Sequence, residues 1–138
     1  MWHKVKKLDS PTIKSIYRGE IGQLKIELEA ARRGYGISVP TLALKYDLIL
    51  DDNGKLYRVQ IKYLNRRAGK NCLELRLIDK RYKYKNGYTE KDVDLILVYL
   101  PKNETILCLT PDVFTNKKTI RINLNNPKAP TYYEKYLW

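Results

Sequence analysis

Three residues near the middle of the chain, Asp47, Gln60 and Lys62, have the types needed to hydrolyse a phosphodiester. Mg²⁺ prefers hard oxygen ligands and needs only one or two carboxylates, because it keeps several waters and also binds phosphate oxygens. We therefore expect Asp47 to anchor this ion, with the side-chain oxygen of Gln60 and a peptide carbonyl near Ile61 as further ligands. Lys62 is expected to hold the attacking water and to offset the charge that develops on the phosphate.

A predicted β-hairpin brings these residues together. The dipeptide Asn53-Gly54 lies between two β-rich runs of segment 46–63 and is the strongest short signal for a two-residue hairpin loop. In that register Asp47 lies opposite Gln60, and both side chains project to the face that Lys62, two residues further on, also shares. The other face receives an apolar set, namely Leu48, Leu50, Tyr57, Val59 and Ile61. A slip of one residue in the pairing would destroy this arrangement.

The same residue types are also common on an ordinary hairpin whose polar face is solvated. Asp51 and Asp52 are better explained as turn residues than as ligands.

Histidine and cysteine offer little for catalysis or metal binding. His3 is the single histidine of the chain, which disfavours a histidine-based mechanism. Cys72 and Cys108 lie singly in strand-like runs without the spacing of a zinc site, so we expect buried, reduced thiols.

The net charge indicates a polyanionic partner. Lysine and arginine number 27 against 15 acidic residues, a balance of +12, and each phosphate that they neutralise releases condensed counterions. Ribosomal proteins, simple DNA-binding proteins and nucleases share this feature, so the charge indicates a nucleic-acid partner but not a particular activity.

No apolar run of the sequence approaches the roughly 20 residues of a membrane span. The basic N-terminus lacks the features of a secretory signal, so we expect a cytoplasmic protein.

Two basic clusters are the expected DNA contacts. One directly follows the strand that carries Lys62, and the other interleaves lysine with tyrosine; their members are Arg66, Arg67 and Lys70, and Lys80, Arg81, Lys83 and Lys85. Contacts to phosphates would fix the register of the DNA. Arg66 and Arg67 are the expected base-edge contacts, because arginine–guanine pairs are the commonest specific ones. Tyr82 and Tyr84 are candidates for stacking on nucleotides or for packing on the sheet. The alternative for each cation is a solvated charged surface.

One helix followed by mostly β-structure must position this site. Residues 15–33 predict the helix, because apolar residues recur at helical spacing before the stop at Gly34; they are Ile21, Leu24, Leu28 and Ala31. Strands are expected at 37–39, in the hairpin 46–63, at 72–78, in a second hairpin formed by 93–100 and 105–110, and as an edge strand at 117–124. A short helix at 111–114 and an aromatic tail packed on the core or on a partner subunit follow. The length suits one domain, 1–138, of the α/β (α+β) class.

Several segments resemble the PD-(D/E)xK nuclease superfamily, above all its intron-associated branch, the group I intron homing endonucleases of cyanobacteria. The resemblance begins at Arg18 and is carried by GEIGQLK at 19–25, RRGYGISVP at 32–40, YDLILDDNGKLYRVQIKY at 46–63, VDLILVYLP at 93–101 and YYEKYL at 132–137. It implies a restriction-endonuclease-like fold, in which helices flank a central mixed sheet and the N-terminal helix comes first.

In that branch a helix glutamate, a strand aspartate and a QxK motif form the metal site, and these correspond to Glu20, Asp47, Gln60 and Lys62. The resemblance also implies an Mg²⁺ cofactor, for which Mn²⁺ would substitute, double-strand cleavage at a long DNA target, and a homotetramer. Two features depart from the wider superfamily. Pro40 lies seven positions before Asp47 instead of next to it, and Gln60 replaces the usual acid. One negative charge fewer should weaken metal binding in the absence of DNA.

Other interpretations stay open from sequence. Glu20 lies early in its helix, where the helix dipole alone favours an acid. A Holliday-junction resolvase or a restriction-type nuclease would share the fold and the metal site but differ in the shape of its substrate. A non-enzymatic nucleic-acid-binding module would use the same basic surface. Because one active site per chain does not easily cut both strands of a duplex, a nuclease of this size is expected to be a dimer at minimum.

Overall fold

The computed structural model describes residues 11–78 and 87–138. Its helices are α1 (Pro11–Arg32), α2 (Pro111–Phe114) and a final 3₁₀ helix (Tyr133–Tyr136). Its strands are β1 (Gly36–Ser38), β2 (Leu48–Asp52), β3 (Lys55–Tyr63), β4 (Cys72–Arg76), β5 (Leu95–Leu100), β6 (Thr105–Leu109) and β7 (Thr119–Asn123). Within these two ranges, none of the helices combines the length and the hydropathy that a membrane crossing requires.

Five strands form one mixed sheet in the order β1-β2-β3-β5-β6, in which β3 and β5 run parallel and all other neighbours antiparallel. The predicted hairpin register is confirmed, since Leu48 pairs with Val59. Asn53 and Gly54 have φ angles of 51° and 97°, the positive values that a two-residue type I′ loop requires at both central positions. The predicted class, an α+β fold with a mixed central sheet and the helix first, is also confirmed.

Helix α1 lies against the sheet through a face of small residues. Gly22, Ile26 and Ala30 are buried, one helical turn apart. A Cβ atom added at Gly22 would lie 3.6 Å from the Cβ of Tyr63, so the helix backbone approaches β3 closely. The larger apolar residues that define the helix in the sequence lie elsewhere on its surface, and Leu24 is 56% exposed. The helix was therefore predictable from these residues, but its contact face was not.

Two hydrophobic cores lie on opposite faces of the sheet. On the α1 side the buried members are Ile26, Ala30, Leu48, Leu50, Val59, Ile61, Leu97 and Tyr99. On the other side β5 and β6 pack against β4 and β7, with buried members that include Leu73, Leu75, Ile96, Val98, Leu107, Phe114 and Ile122. Because β5 contributes to both cores, it is the central apolar strand that the sequence predicts.

Strands β4 and β7 form a separate two-stranded sheet, which we call the ribbon. Cys72 pairs with Asn123 at one end of the ribbon and Arg76 with Thr119 at the other. The prediction of a strand near 117–124 is confirmed, but this strand is not an edge of the central sheet. Its physical role is to let β4 cover the apolar residues of β5 and β6, which would otherwise face water.

The aromatic tail packs on the core, one of its two predicted positions. Tyr133 and Tyr136 contact the ribbon-side core, the backbone N–H of Trp138 donates to the carbonyl of Ile106 at 3.0 Å, and the Trp138 ring stacks on Tyr35 with centroids 6.0 Å apart. The two cysteines are free thiols, as expected, but both are half-buried instead of fully buried. Burial raises the pKa of the Cys108 thiol, which keeps it protonated and unreactive.

Candidate active site

Two of the polar residues predicted from the hairpin, Gln60 and Lys62, lie on the face of the sheet opposite α1. Val59 and Ile61 of β3 point into the core on the α1 side, so Gln60 and Lys62 point to the opposite face. The ammonium of Lys62 accordingly lies 5.4 Å from the ring centroid of Tyr88, which belongs to the ribbon-side core. No residue of β2 or β3 is among the buried members of that core.

The carboxylate of Asp47 ends the pairing of β2 with β3. The backbone N–H of Asp47 still donates to the carbonyl of Val59 at 2.8 Å. The next N–H of β3 in the ladder, that of Ile61, donates to Oδ2 of the Asp47 side chain at 2.8 Å. A side-chain oxygen thus takes the place of a backbone acceptor, which lets the chain before β2 turn away and fixes the carboxylate at the end of the strand.

Gln60 contacts the other backbone polar group of Ile61. Its side-chain Nε2 donates to the carbonyl oxygen of Ile61 at 3.4 Å. Asp47, Gln60 and Lys62 are all half-buried. The structure therefore gathers a carboxylate, an amide and a peptide carbonyl around Ile61, with an ammonium on the same face one residue further along. The carboxylate and the carbonyl are hard oxygen donors, and the side-chain oxygen of Gln60 would be a third once its amide turns from the carbonyl. Such a set fits a small divalent cation such as Mg²⁺.

Among the residues that the structure describes, no three histidine, cysteine or acidic side chains lie close enough together to hold a metal. The candidate site instead relies on one carboxylate and on neutral oxygens. Such a site has little negative charge of its own. The phosphates of a bound substrate are the additional oxygen ligands that it requires.

Glu20 is the one member of the predicted set that the structure does not join to the others. It is exposed on α1, and no hydrogen bond or ion pair links it to another described residue. Helix α1 lies on the opposite face of the sheet, but its middle is close to the site, because a Cβ atom at Gly22 would lie 3.9 Å from the carbonyl oxygen of Lys62. Glu20 lies at the middle of α1, and not early in it as the sequence predicts, because the helix already begins at Pro11. Glu20 thus lies near the end of β3, and its role as a ligand stays a prediction.

Sequence analysis missed two ion pairs that hold the loops around the site. Arg58, on the same face of β3 as Gln60, donates to Asp94 from Nε at 3.2 Å and from its backbone N–H at 2.7 Å. Lys45, two residues before Asp47, donates to Oδ1 of Asp92 at 2.8 Å. The loop before β5 is therefore tied both to β3 and to the segment that leads into the site. The only sequence signal was the alternation of β3, which puts Arg58 on the polar face.

Asp94→Asn is expected to destabilise the chain by about 1 kcal/mol at pH 7, allowing for the partial exposure of the pair. The hydrogen bonds and the charge of Arg58 hold the pKa of Asp94 below its ordinary 3.8. A lowered carboxylate pKa contributes stability that is complete above the ordinary value and is lost as the pH falls through the lowered one. Urea unfolding of both chains should give free energies that differ at pH 7 and converge at a pH below the lowered pKa. An unchanged difference at both pH values would contradict this assignment.

The first predicted DNA-binding cluster divides into two kinds of residue. Arg66 is engaged within the chain, since its Nε lies 3.2 Å from Oε2 of Glu74. Arg67 and Lys70 instead line a cavity beyond the end of β3. The second cluster, Lys80, Arg81, Lys83 and Lys85, lies outside the described residues, and so do Tyr82 and Tyr84. The assignment of all these residues to DNA binding stays a prediction.

Comparison with known proteins identifies the family and the fold of the chain. Residues 13–134 match the family model described as PD-(D/E)XK endonuclease. No functionally curated protein has a significantly similar sequence. The solved structure of the bacterial homing endonuclease I-Ssp6803I is similar, with a TM-score of 0.76 and 22% sequence identity over 94% of this chain and 89% of that one. At this identity the likeness is one of fold.

The family match spans the helix, the hairpin and the ribbon, and it confirms the resemblance that the sequence motifs indicate. The coarse function follows from it: the chain is a nuclease whose substrate is DNA. Nucleases of this kind generally use divalent metal ions, which the oxygen donors around Ile61 are suited to hold. By its sequence, and consistently with its fold, the chain belongs to the PD-(D/E)XK endonuclease family.

Proposed function

We propose that the chain is a sequence-specific, double-strand DNA endonuclease of the intron-homing type, which uses Mg²⁺ and accepts Mn²⁺ in its place and acts in the cytoplasm. The observation that carries this proposal is the convergence on the backbone of Ile61: Asp47 accepts its N–H at 2.8 Å, and the side-chain amide of Gln60 donates to its carbonyl. Lys62 follows on the same face. The assigned metal ligands are Asp47, Gln60, the carbonyl of Ile61 and Glu20.

Each of these side chains has a defined task in phosphodiester hydrolysis. The hydrogen bond from the Ile61 N–H holds the Asp47 carboxylate in one orientation before substrate arrives, so no ordering is needed at the moment of reaction. A divalent ion held by these oxygens supplies electrostatic stabilisation of the charge that develops on the phosphate. The ammonium of Lys62, placed against the Tyr88 ring, orients the attacking water and adds a second positive charge beside the phosphate.

The rates of cleavage of differently shaped DNA substrates distinguish a homing endonuclease from a junction resolvase, a restriction-type nuclease and a binding module. A long duplex that contains an uninterrupted insertion site should be cut at one position, whereas a four-way junction and a duplex of random sequence should be cut far more slowly. Faster cleavage of the junction would favour a Holliday-junction resolvase. Cleavage at many short sites in random DNA would favour a restriction-type nuclease. A chain that binds all three DNAs and cuts none would be a simple binding module.

A homo-oligomer, a dimer at minimum and a tetramer by resemblance, is part of the proposal. It is supported by a half-exposed apolar stripe on α1, separate from the residues buried against the sheet; its members are Tyr17, Ile21, Leu24 and Leu28, which are 49%, 43%, 56% and 49% exposed. Their spacing of four, three and four residues is that of the contact seam between two paired helices. Glu27 and Arg32 flank the stripe and supply opposite charges at its edges. Two-fold pairing would also supply a second active site for the second strand.

Leu24→Glu is expected to convert the oligomer to a monomer, because two carboxylates would face each other at the centre of the seam and lose their water. Light scattering after size exclusion measures this directly. Leu56→Glu is the matched control, since Leu56 is 61% exposed but lies beside the hairpin turn, away from α1. A monomeric wild-type chain, or an unchanged oligomer in Leu24→Glu, would exclude this stripe as the interface.

A further inference from the structure

A cavity of about 170 Å³ opens beside the end of β3, between the central sheet and the ribbon. Three apolar side chains, Leu64, Leu73 and Leu124, form part of its wall, and three cations, Arg67, Lys70 and Lys102, also line it. No acidic residue is among those that line the cavity. Its lining thus combines apolar side chains with positive charge, which suits an anion with an apolar part.

The three cations differ from most basic residues near them in having no partner among the residues that the structure describes. Arg58 and Arg66 are each held by a carboxylate. Over the two described ranges, in contrast, no ion pair or side-chain hydrogen bond involves Arg67, Lys70 or Lys102. Unpaired cations that surround an apolar cavity repel one another, and an anionic ligand would relieve this repulsion.

The connection between β3 and β4, which carries two of the three cations, has a defined backbone structure. Arg67 forms a β-bridge with Leu73, and the N–H of Ala68 donates to the carbonyl of Cys72 at 2.9 Å. Gly69 turns the chain between them with a φ of 95°. The cations therefore project from a closed turn whose backbone is ordered before a ligand binds, which reduces the entropy cost of binding.

The cavity adjoins the candidate active site. The N–H of Leu64 donates to the carbonyl of Tyr99 at 2.9 Å, so the β3–β5 ladder continues from Lys62 to the cavity wall, about 7 Å further along the strand. Lys102 lies in the turn after β5, and because β3 and β5 are parallel their ends meet at the same edge of the sheet. A DNA strand that lies across Lys62 would reach the cavity within one or two nucleotides.

We propose that this cavity binds the sugar–phosphate unit next to the scissile phosphate, with its phosphate between Arg67, Lys70 and Lys102 and its deoxyribose against the apolar wall. The proposal rests on the proposed function, since it assumes that a DNA strand passes the site. It adds Lys102 to the DNA-binding surface. It also changes the role of Arg67, which contacts backbone rather than a base edge.

The salt dependence of DNA binding tests this directly. Fluorescence anisotropy with a 30-base-pair duplex of arbitrary sequence, in EDTA so that no cleavage occurs, gives the dissociation constant over a series of salt concentrations. Lys102→Ala and Arg67→Ala should each reduce the slope of log affinity against log salt by about one, because each removes one phosphate contact. Lys118→Ala is the matched control. It makes the same change of charge at the far end of the ribbon, where Leu77 donates to the carbonyl of Lys118.

A second variant tests the cavity rather than the charge. Leu124→Asp places a carboxylate inside it and should weaken binding more than Leu56→Asp, an equal change on the exposed hairpin; circular dichroism verifies that both variants fold. Equal slopes for Lys102→Ala and Lys118→Ala, or equal binding by the two aspartate variants, would overturn the proposal. Because these experiments need no cleavage, they can succeed even if the nuclease assignment fails, and the reverse also holds.

Discussion

Asp47→Asn is expected to reduce Mg²⁺-dependent DNA cleavage by about a thousandfold or more, because it removes the one carboxylate that the hairpin contributes to the site. The fold should be unaffected, since the amide oxygen of asparagine can still accept the N–H of Ile61. Affinity for DNA in EDTA should be unchanged or slightly higher, because a negative charge that faces the phosphate is gone. Single-turnover cleavage of a plasmid and anisotropy with a short duplex measure the two effects separately.

Asp52→Asn is the control for this experiment. Asp52 lies at the far end of β2 from Asp47, where it is exposed and pairs with Lys55 beside the turn. Asp52→Asn therefore makes the same change of charge as Asp47→Asn in the same hairpin. Cleavage by Asp52→Asn should equal that of the wild type. If the two variants lost activity equally, the effect would come from the stability of the hairpin and not from a metal site at Asp47.

Lys62→Ala should lower the rate of cleavage by about 10²- to 10³-fold while the affinity for metal and for DNA changes little. The ammonium is assigned to the attacking water and to the charge on the phosphate, so its loss acts on the chemical step. Manganese should not restore activity to Lys62→Ala, because the missing group is not a ligand. The rate constant under single-turnover conditions, at saturating Mg²⁺, is the quantity to compare.

Lys55→Ala provides a close control for Lys62→Ala. Lys55 is on the same strand and its ammonium also lies over a tyrosine ring, 5.2 Å from the centroid of Tyr57, compared with 5.4 Å for Lys62 and Tyr88. If cation–π packing were the only role of Lys62, both variants would lose a little stability and neither would lose activity. A large loss of the cleavage rate confined to Lys62→Ala separates catalysis from packing.

The hairpin was predictable from the sequence because local signals determine it. Asn53 and Gly54 adopt the positive φ angles that few other residues tolerate, and a two-residue loop leaves one register for the strands. Given that register, the alternation of side chains along each strand puts Asp47, Gln60 and Lys62 on one face of the sheet. Central strand β5 was predictable for a related reason: a run that is apolar at every position can only be covered on both faces.

Long-range contacts were not predictable in the same way. The partner of β4 lies about 47 residues away along the chain, in β7, and alternation within β4 carries no information about which strand completes its ladder. The contact face of α1 was missed because Gly22 and Ala30 carry little hydrophobic signal, although their small size allows the closest approach to the sheet. Lys102 was not predicted to bind DNA, because a single lysine in a turn carries no such signal. Only the fold brings it to the same cavity as Arg67 and Lys70.

The most direct measurement is a time course of cleavage of a supercoiled plasmid that carries an insertion site. Three reactions are compared: wild-type chain in Mg²⁺, wild-type chain in EDTA, and Lys62→Ala, purified in parallel, in Mg²⁺. The geometry around Ile61 predicts that only the first reaction gives linear DNA, through a nicked form, and that the other two leave the plasmid supercoiled. Equal cleavage by wild type and by Lys62→Ala, or cleavage that persists in EDTA, would contradict metal-assisted hydrolysis at this site.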